Sequence, residues 1–237
     1  MFGVRTPLRS VVGDEAEKPF WISYSDLMTA LMVLFLVAMS VALLSITQKA
    51  VSGPAAHNKK IEACMSRVAA MTDQEEFHGI NIQGHKISFG TRALFTLNSH
   101  KLGPAAEKTL RAYVPKVLEL ARAQDGCSKV FKRVIVEGFA SQSGTYIHNL
   151  NLSLQRAERV LCVLLSTRSA SDALTDKDRT DVRGLVLVAG SSFNDLQLDA
   201  ALSQRIELKL EFLAYQEKKE EIRTGDLDEM LQCPLDQ

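Results

Sequence analysis

One long uncharged stretch near the amino terminus constrains this chain more than any other feature. Between Lys18 and Lys49 the only charged residue is Asp26. Within that stretch, the 20 residues from 27 to 46 include only three that are not hydrophobic. A helix of this length spans roughly 30 Å, the thickness of the hydrocarbon core of a bilayer. The stretch therefore predicts a single transmembrane helix over residues 20–48.

The flanks of this stretch support a membrane span but leave its direction open. Phe20, Trp21 and Tyr24 precede the apolar run, where an interfacial aromatic belt is expected. The run is too long for a secretory signal peptide, and the arm formed by residues 1–19 is a poor start for one. The basic residues near the two ends are balanced: Arg5, Arg9 and Lys18 before the run, and Lys49, Lys59 and Lys60 after it. The positive-inside comparison is therefore almost a tie.

Composition alone would have hidden this helix. The 237 residues include 28 Lys and Arg against 28 Asp and Glu, and 46% are hydrophobic. These values exclude a disordered or collagen-like chain. The zero net charge argues against a nucleic-acid partner, whose binding requires Lys and Arg to neutralise phosphates. Only the placement of the charges, absent from residues 19–48 except at Asp26, distinguishes the chain from an ordinary soluble protein.

Asp26 is the residue that needs an explanation. An ionised carboxylate at the edge of a membrane helix costs several kcal/mol unless it is paired, hydrated or protonated, so a functional role is the default interpretation. A carboxylate withdrawn from water exchanges a proton more readily near neutral pH, as an ion path requires. The alternative is a headgroup-level position at the start of the helix, where an acid suits the positive end of the helix dipole.

The residues around Asp26 resemble a known family. The segment Pro19–Thr29, PFWISYSDLMT, is similar to the start of the MotB family, the stator B-subunits of ion-driven motors. The resemblance covers about 30 residues, and it implies that Asp26 is the ion-carrying residue. It also implies a cytoplasmic arm at residues 1–19 and a periplasmic carboxyl-terminal domain.

The segment after the apolar run is expected to be a linker over residues 49–78. Gly53 and Pro54 are expected to break the helix. Residues 59–71 could form a short amphipathic helix, with Ile61, Met65, Val68 and Ala69 on one side. In stators a segment at this place can plug the ion path, and a plain spacer is an equal alternative.

The rest of the chain predicts an α+β domain. Alternating apolar residues predict strands, and apolar residues at helical spacing predict helices. In chain order we expect strands at 80–82 and 87–89, a helix at Pro104–Arg122, a strand at Val134–Phe139, a helix at Leu150–Leu165, and strands at Leu185–Ala189 and Ile206–Phe212. Together they predict one two-layer α/β sandwich over residues 79–215. A charged tail, residues 216–237, is expected to be a solvated helix or disordered.

The loop and helix after the predicted strand at 134–139 carry a second resemblance. Gly144, Asn149, Leu152, Ser153 and Arg156 follow the spacing G-x-x-x-x-N-x-x-L-S-x-x-R-A, which is similar to the signature of OmpA-like peptidoglycan-binding domains. Residues 203–207, SQRIE, take the place of that family's closing N-R-R-V-E. The resemblance spans residues 80–212 and implies an OmpA-like fold that binds peptidoglycan.

The resemblance implies a wall-binding site at Ser141, Asn149, Leu150 and Arg156. An arginine early in a helix can hold a stem-peptide carboxylate bidentately. Asn149 can donate to the ligand or cap the helix. The family usually has an aspartate at the position of Ser141, so the hydroxyl there puts affinity or stem-peptide preference in question. The alternatives are a mere helix cap at Asn149 and a surface ion pair between Arg156 and Glu158 or another acid.

No enzyme, cofactor or metal site is expected. The five histidines form no H-E-x-x-H pattern, and no Ser-His-Asp arrangement, phosphate loop or paired-carboxylate motif is present. Four cysteines in an oxidising compartment permit two disulfides in three possible pairings. Cys162 is equally well explained as a buried free thiol.

The compact length, the start of the membrane helix and the Ser141 loop resemble the stator-like subunits of Zorya anti-phage defence, the ZorB family. This resemblance implies that the chain is an inner-membrane protein anchored to peptidoglycan. It also implies a dimer of the chain inside a pentamer of ZorA-like membrane subunits. The expected transported ion is H+, with Na+ as the alternative. A flagellar-type stator subunit and a non-conducting tether between membrane and wall are the competing functions.

Overall fold

The computed structural model describes residues 18–123, 127–166, 174–219 and 233–236. The chain divides into two compact units, Met1–Pro54 and Ala55–Gln237. The predicted cytoplasmic arm, apart from its last two residues, and residues 220–232 of the predicted charged tail lie outside the described residues.

The first unit contains most of helix α1, Lys18–Thr72. Its side chains from residue 21 to residue 48 are all exposed within the chain. They include large apolar groups such as Trp21 and Phe35, which are 69% and 64% exposed. A helical segment whose side chains are apolar on every side and exposed among the described residues suits a lipid environment. Of the helices that the structure describes, α1 alone is long and apolar enough to cross a membrane.

Three hydroxyl groups in this part of α1, those of Thr29, Ser40 and Thr47, donate to carbonyls of the helix itself. Thr29 Oγ1 donates to the carbonyls of Ser25 and Asp26, at 3.0 and 2.9 Å. Ser40 Oγ donates to Leu36 O at 2.7 Å. Such bonds allow serine and threonine to sit in hydrocarbon without an unpaired donor.

The prediction that Gly53 and Pro54 end the helix is wrong. Helix α1 continues through Pro54 to Thr72. A proline inside a helix removes one backbone hydrogen bond and costs about 3 kcal/mol. The usual clash of its ring with the preceding Cβ is absent here because that residue is glycine, so Gly53 can stay helical.

The last turns of α1 belong to the core of the second unit, so residues 55–72 are not a free spacer. Of the four residues predicted for the apolar side, Val68 is buried and Ile61, Met65 and Ala69 are half-buried. Cys64 and Met71 are buried as well. At the end of the helix, Thr72 Oγ1 and the Tyr113 hydroxyl share a buried hydrogen bond of 2.7 Å. Burial raises the pKa of Tyr113 to about 12.

A five-stranded mixed sheet organises the second unit. Its strands are β1 Asn81–Gln83, β2 Lys86–Ser88, β3 Phe131–Gly138, β4 Val186–Gly190 and β5 Ile206–Phe212. The spatial order is β1-β2-β5-β3-β4. Only β3 and β4 are parallel, and all other neighbours are antiparallel. The predicted α+β class is confirmed.

Three helices cover the apolar side of this sheet: α2 Pro104–Arg122, α3 Tyr146–Leu165 and α4 Asp176–Leu185. Val136 and Leu208 of the sheet share one core with Leu110 of α2 and Val160 of α3. Because side chains alternate along a strand, Glu207 and Lys209 of β5 lie on the other side of the sheet. The expected helix at 104–122 matches α2 at both ends, whereas α4 was missed.

Helix α3 approaches the ends of β3 and β4 closely. A Cβ added at Gly138 would lie 1.9 Å from Ser153 O, and one at Gly190 would lie 2.7 Å from Ser153 Oγ. Only glycine permits this approach at Gly138, because the opposing atom belongs to the backbone. The contact fixes where the amino-terminal half of α3 stands over the sheet.

Two disulfides close the second unit. Cys64 of α1 is bonded to Cys127, and Cys162 of α3 is bonded to Cys233. The alternative of a free thiol at Cys162 is therefore wrong. The second bond places the end of the predicted tail on α3, where Arg159 Nη1 also donates to Asp236 Oδ1 at 2.6 Å.

Candidate functional site

Asp26 stands alone in the apolar part of α1. It is exposed, as are its neighbours in the helix. Its carboxylate makes no hydrogen bond or ion pair with any residue that the structure describes, although the adjacent Thr29 hydroxyl is engaged with backbone carbonyls. A carboxylate in this setting must find water, a proton or a donor outside its own chain.

Arg156 stands in the opposite situation. It is 0% exposed, and its guanidinium is fully enclosed in the second unit. Nε donates to Ser99 O at 2.9 Å and Nη1 donates to Phe139 O at 2.7 Å. Nη2 donates to Thr96 O at 3.0 Å and to Gln204 Oε1 at 3.2 Å.

Through these hydrogen bonds Arg156 links three segments: the loop before α2, the end of β3 and the residues before β5. The guanidinium also lies 5.0 Å from the centre of the Phe95 ring, a cation–π distance. Burial lowers the pKa of Arg156 to about 10, so the group remains charged at neutral pH. A ligand carboxylate reaches this guanidinium only if the surrounding loops move. Neither the surface ion pair with Glu158 nor the free bidentate fork is present.

Asn149 holds the loop between β3 and α3. Its Nδ2 donates to Ser143 O at 2.8 Å and to Thr145 O at 3.2 Å. The helix cap is Thr145, whose side chain accepts from His148 N. Asn149 lies one turn inside the helix, so the alternative that it caps α3 is wrong. Sequence reasoning began the helix at Leu150 because residues 146–149 lack the apolar periodicity.

The other two predicted wall residues border the same loop. Ser141 is 7% exposed, and its hydroxyl has no hydrogen-bond partner among the described residues. Leu150 is half-buried, and its carbonyl accepts from Ser153 Oγ at 2.7 Å. The four predicted residues therefore lie in or next to one loop, residues 139–145, but Ser141 alone keeps a side-chain group free to meet a ligand.

Sequence reasoning missed a second group of charges, formed by Arg205, Glu207 and Asp195. Arg205 Nε donates to Glu207 Oε1 at 2.8 Å, and its Nη2 donates to Asp195 Oδ2 at 2.9 Å. The guanidinium lies 4.2 Å from the centre of the Phe139 ring. The alternation of β5 signals this group, because Arg205 and Glu207 face away from the core positions Ile206 and Leu208.

The chain matches one family model and one curated relative. The model describes membrane MotB of the proton-channel complex MotA/MotB, and it matches residues 9–51. The relative is the Zorya protein ZorB of Escherichia coli O139:H28 (strain E24377A / ETEC). The two are 38% identical over 232 residues, which cover 93% of this chain and 91% of the relative. Neither description is that of an enzyme, in agreement with the expectation from the sequence.

Solved structures of two bacterial domains are also similar to part of the chain. The OmpA-like domain of FopA1 from Francisella tularensis subsp. tularensis SCHU S4 is 19% identical, with a TM-score of 0.36, over 56% of this chain and 80% of that domain. The periplasmic domain of Helicobacter pylori MotB is 12% identical, with a TM-score of 0.37, over 58% of this chain and 83% of that domain.

Proposed function

Because the chain belongs to the ZorB family, we propose that it is the MotB-like stator subunit of an ion-driven motor in the inner membrane, with Asp26 as the ion carrier. The observation that carries this proposal is the isolation of Asp26. It is the only charge among residues 19–48, and no described residue of its own chain pairs with it. A carboxylate in that position can bind an ion on one side of the membrane and release it on the other. The membrane potential biases such a step by roughly 2.3 kcal/mol per charge per 100 mV.

The transported ion is H+ in this proposal. A hard cation such as Na+ needs several oxygen ligands around it. The hydroxyl oxygens that flank Asp26 in this helix are those of Ser25 and Thr29, which together with the carboxylate are fewer ligands than such a cation takes. A single carboxylate is sufficient for a proton, which needs no further ligands from this chain.

The amino terminus lies in the cytoplasm and the second unit in the periplasm in this proposal. Two disulfides in the second unit, at Cys64–Cys127 and Cys162–Cys233, support this direction. Disulfides persist in the oxidising periplasm and are rare in the reducing cytosol. They supply the directional argument that the balanced Lys and Arg counts lack.

The motor consists of a dimer of this chain inside a pentamer of ZorA-like subunits, whose helices enclose Asp26. The loop at residues 139–145, together with the first turn of α3, anchors the dimer to peptidoglycan. Ion passage through Asp26 then turns the surrounding ring against the two anchored helices. The physiological role is anti-phage defence, as the name of the curated relative suggests for that protein.

Replacement of Asp26 by Asn tests the ion-carrier role in cells that carry the complete defence locus. The amide keeps the size of the carboxylate and removes its charge and its proton exchange. We expect plaque counts to rise to those of cells without the locus. Ser40→Ala, a change in the same helix at a hydroxyl that bonds its own backbone, is the matched control and should keep protection. Full protection by the Asp26→Asn variant, at equal membrane levels, would leave a non-conducting tether as the function.

Sedimentation with purified peptidoglycan tests the anchor separately. Ser141→Asp introduces the acid that OmpA-like domains carry at this place, which suits a stem-peptide ammonium, so more of the full chain should pellet. Asn149→Ala frees the loop carbonyls of Ser143 and Thr145 and should reduce the pelleted fraction. Ser66→Ala, on the exposed side of α1, is the control. Equal pelleting of all three variants would rule out this loop as the anchor.

A further inference from the structure

A polar cavity lies on the side of the sheet that the helices leave open. Its volume is about 390 Å³, within the range of small-molecule sites and far larger than a bare ion needs. Its walls come from the β1–β2 hairpin, from β5 and from the loop that precedes β5. The residues that matter for its chemistry are Asn81, Gln83, Lys86, Asp195, Arg205 and Glu207.

Glu207 carries an unused acceptor in this cavity wall. The residue is 7% exposed, and its Oε1 accepts from Arg205 Nε. Its Oε2 is buried and has no hydrogen-bond partner among the described residues. A buried acceptor without a donor costs about 1–3 kcal/mol, and more when it is charged. A ligand that donates to Oε2 would remove that cost.

The neighbouring groups do not satisfy this oxygen. The terminal nitrogens of Arg205 donate to Asp195, Nη1 to the backbone carbonyl at 3.1 Å and Nη2 to the carboxylate. Glu137 stands opposite Glu207 on β3, and its carboxylate accepts from Ser191 Oγ. Two carboxylates, those of Asp195 and Glu207, thus share one guanidinium, so this part of the cavity carries a net negative charge and favours a cation.

Lys86 determines the second charged group that a ligand of this cavity should carry. It is exposed at the cavity, and no described residue forms an ion pair with it. Its ammonium suits a carboxylate. A ligand with an ammonium at one end and a carboxylate at the other is therefore complementary to the cavity. A metal ion is a poor fit, because the described residues contain no group of three His, Cys, Asp or Glu placed to hold one.

We propose that this cavity is a binding site for a small zwitterion, whose primary ammonium donates to Glu207 Oε2 and whose carboxylate meets Lys86. The ligand has the size of an amino acid. It comes either from a free metabolite or from the peptide part of a cell-wall fragment. The site is separate from Asp26 and does not depend on ion transport.

Calorimetric titration of the full chain in detergent micelles tests the site with 5-aminovalerate as the probe. Valerate lacks the ammonium and should not bind. Glu207→Gln keeps an acceptor for Arg205 and removes the negative charge, so affinity should fall at least about tenfold. Glu211→Gln removes a charge from the same strand and the same side of the sheet, outside the cavity, and should leave affinity unchanged. Leu202→Trp fills the cavity and should abolish binding while the circular dichroism spectrum stays native.

The proposal is overturned if 5-aminovalerate fails to bind at millimolar concentration, if valerate binds equally well, or if the Glu207→Gln variant binds like the unmodified chain while the Leu202→Trp variant does too. Competition with a soluble muropeptide then identifies the source. Displacement of 5-aminovalerate assigns the site to wall peptides. If the muropeptide does not displace 5-aminovalerate, while binding of 5-aminovalerate still depends on Glu207, the site is assigned to a free metabolite.

Discussion

Asp26 and Arg156 are both charged residues in apolar surroundings, but they differ in how many partners they have within the described residues of the chain. Arg156 makes four hydrogen bonds and lies against the Phe95 ring, so its charge is completely accommodated by its own domain. Asp26 has no partner among the described residues of its chain. One charge is part of the scaffold, and the other requires something from outside.

This difference separates structural from functional charge more reliably than a sequence motif does. Both residues were singled out by a motif, and both were expected to meet a ligand. The structure uses Arg156 to join three segments, one of which is the loop that begins at Phe139, so it is a positioning residue. Removal of Arg156 should therefore affect folding first, whereas removal of the Asp26 charge should affect activity alone.

The largest loss of stability is expected for Arg156→Met. The change leaves three backbone carbonyls and the Gln204 amide oxygen without their donor, and should lower the free energy of unfolding by about 3–5 kcal/mol. Urea denaturation of the full chain in detergent, followed by circular dichroism, measures the loss. A loss below about 1 kcal/mol would show that the hydrogen bonds of Arg156 do not stabilise the three segments, and would restore Arg156 as a candidate ligand contact.

A smaller loss is expected when Cys64 and Cys127 are both replaced by serine. The disulfide closes a loop of 63 residues, and loss of such a bond typically costs about 2–4 kcal/mol. The same denaturation experiment measures the change. Thiol counting on the unmodified chain provides the check: with both disulfides formed, no cysteine should react before reduction.

Gly138→Ala should destabilise the domain by about 1–3 kcal/mol, because the new methyl group meets the Ser153 carbonyl and pushes α3 off the sheet. Gly103→Ala is the matched control, since nothing lies within 4 Å of its added Cβ. The thermal midpoint of each variant measures the difference. Equal midpoints would mean that α3 has room to shift, and that the position of the loop between β3 and α3 is not fixed by this contact.

Periodicity predicted the elements well where one side of an element is apolar. The helix at 104–122 and the strand at 206–212 have the predicted bounds. Helix α4 was not predicted because six of its ten residues are charged and only Val182 and Leu185 are buried. The continuation of α1 through Pro54 was not predicted because Gly-Pro usually ends a helix. Here the glycine before the proline has no Cβ to clash with the proline ring.

The candidate site was predictable in position but not in geometry. The motif located the loop at 139–145, and Asn149 and Arg156 do hold that loop in place. Sequence spacing does not indicate where a guanidinium points, so burial of Arg156 could not be anticipated. The unsatisfied oxygen of Glu207 depends on how Arg205 divides its donors between two acids, which only three-dimensional contacts reveal.

Proton flux through the assembled motor tests the role of Asp26 most directly. The chain and its ZorA-like partner would be reconstituted in vesicles with an internal pH-sensitive dye and an imposed potential. We expect the unmodified complex to acidify the vesicles and the Asp26→Asn complex to behave like empty vesicles, with unchanged unfolding and unchanged assembly. Equal acidification by the Asp26→Asn complex would contradict the account, because the only carboxylate among residues 19–48 would then carry no ion.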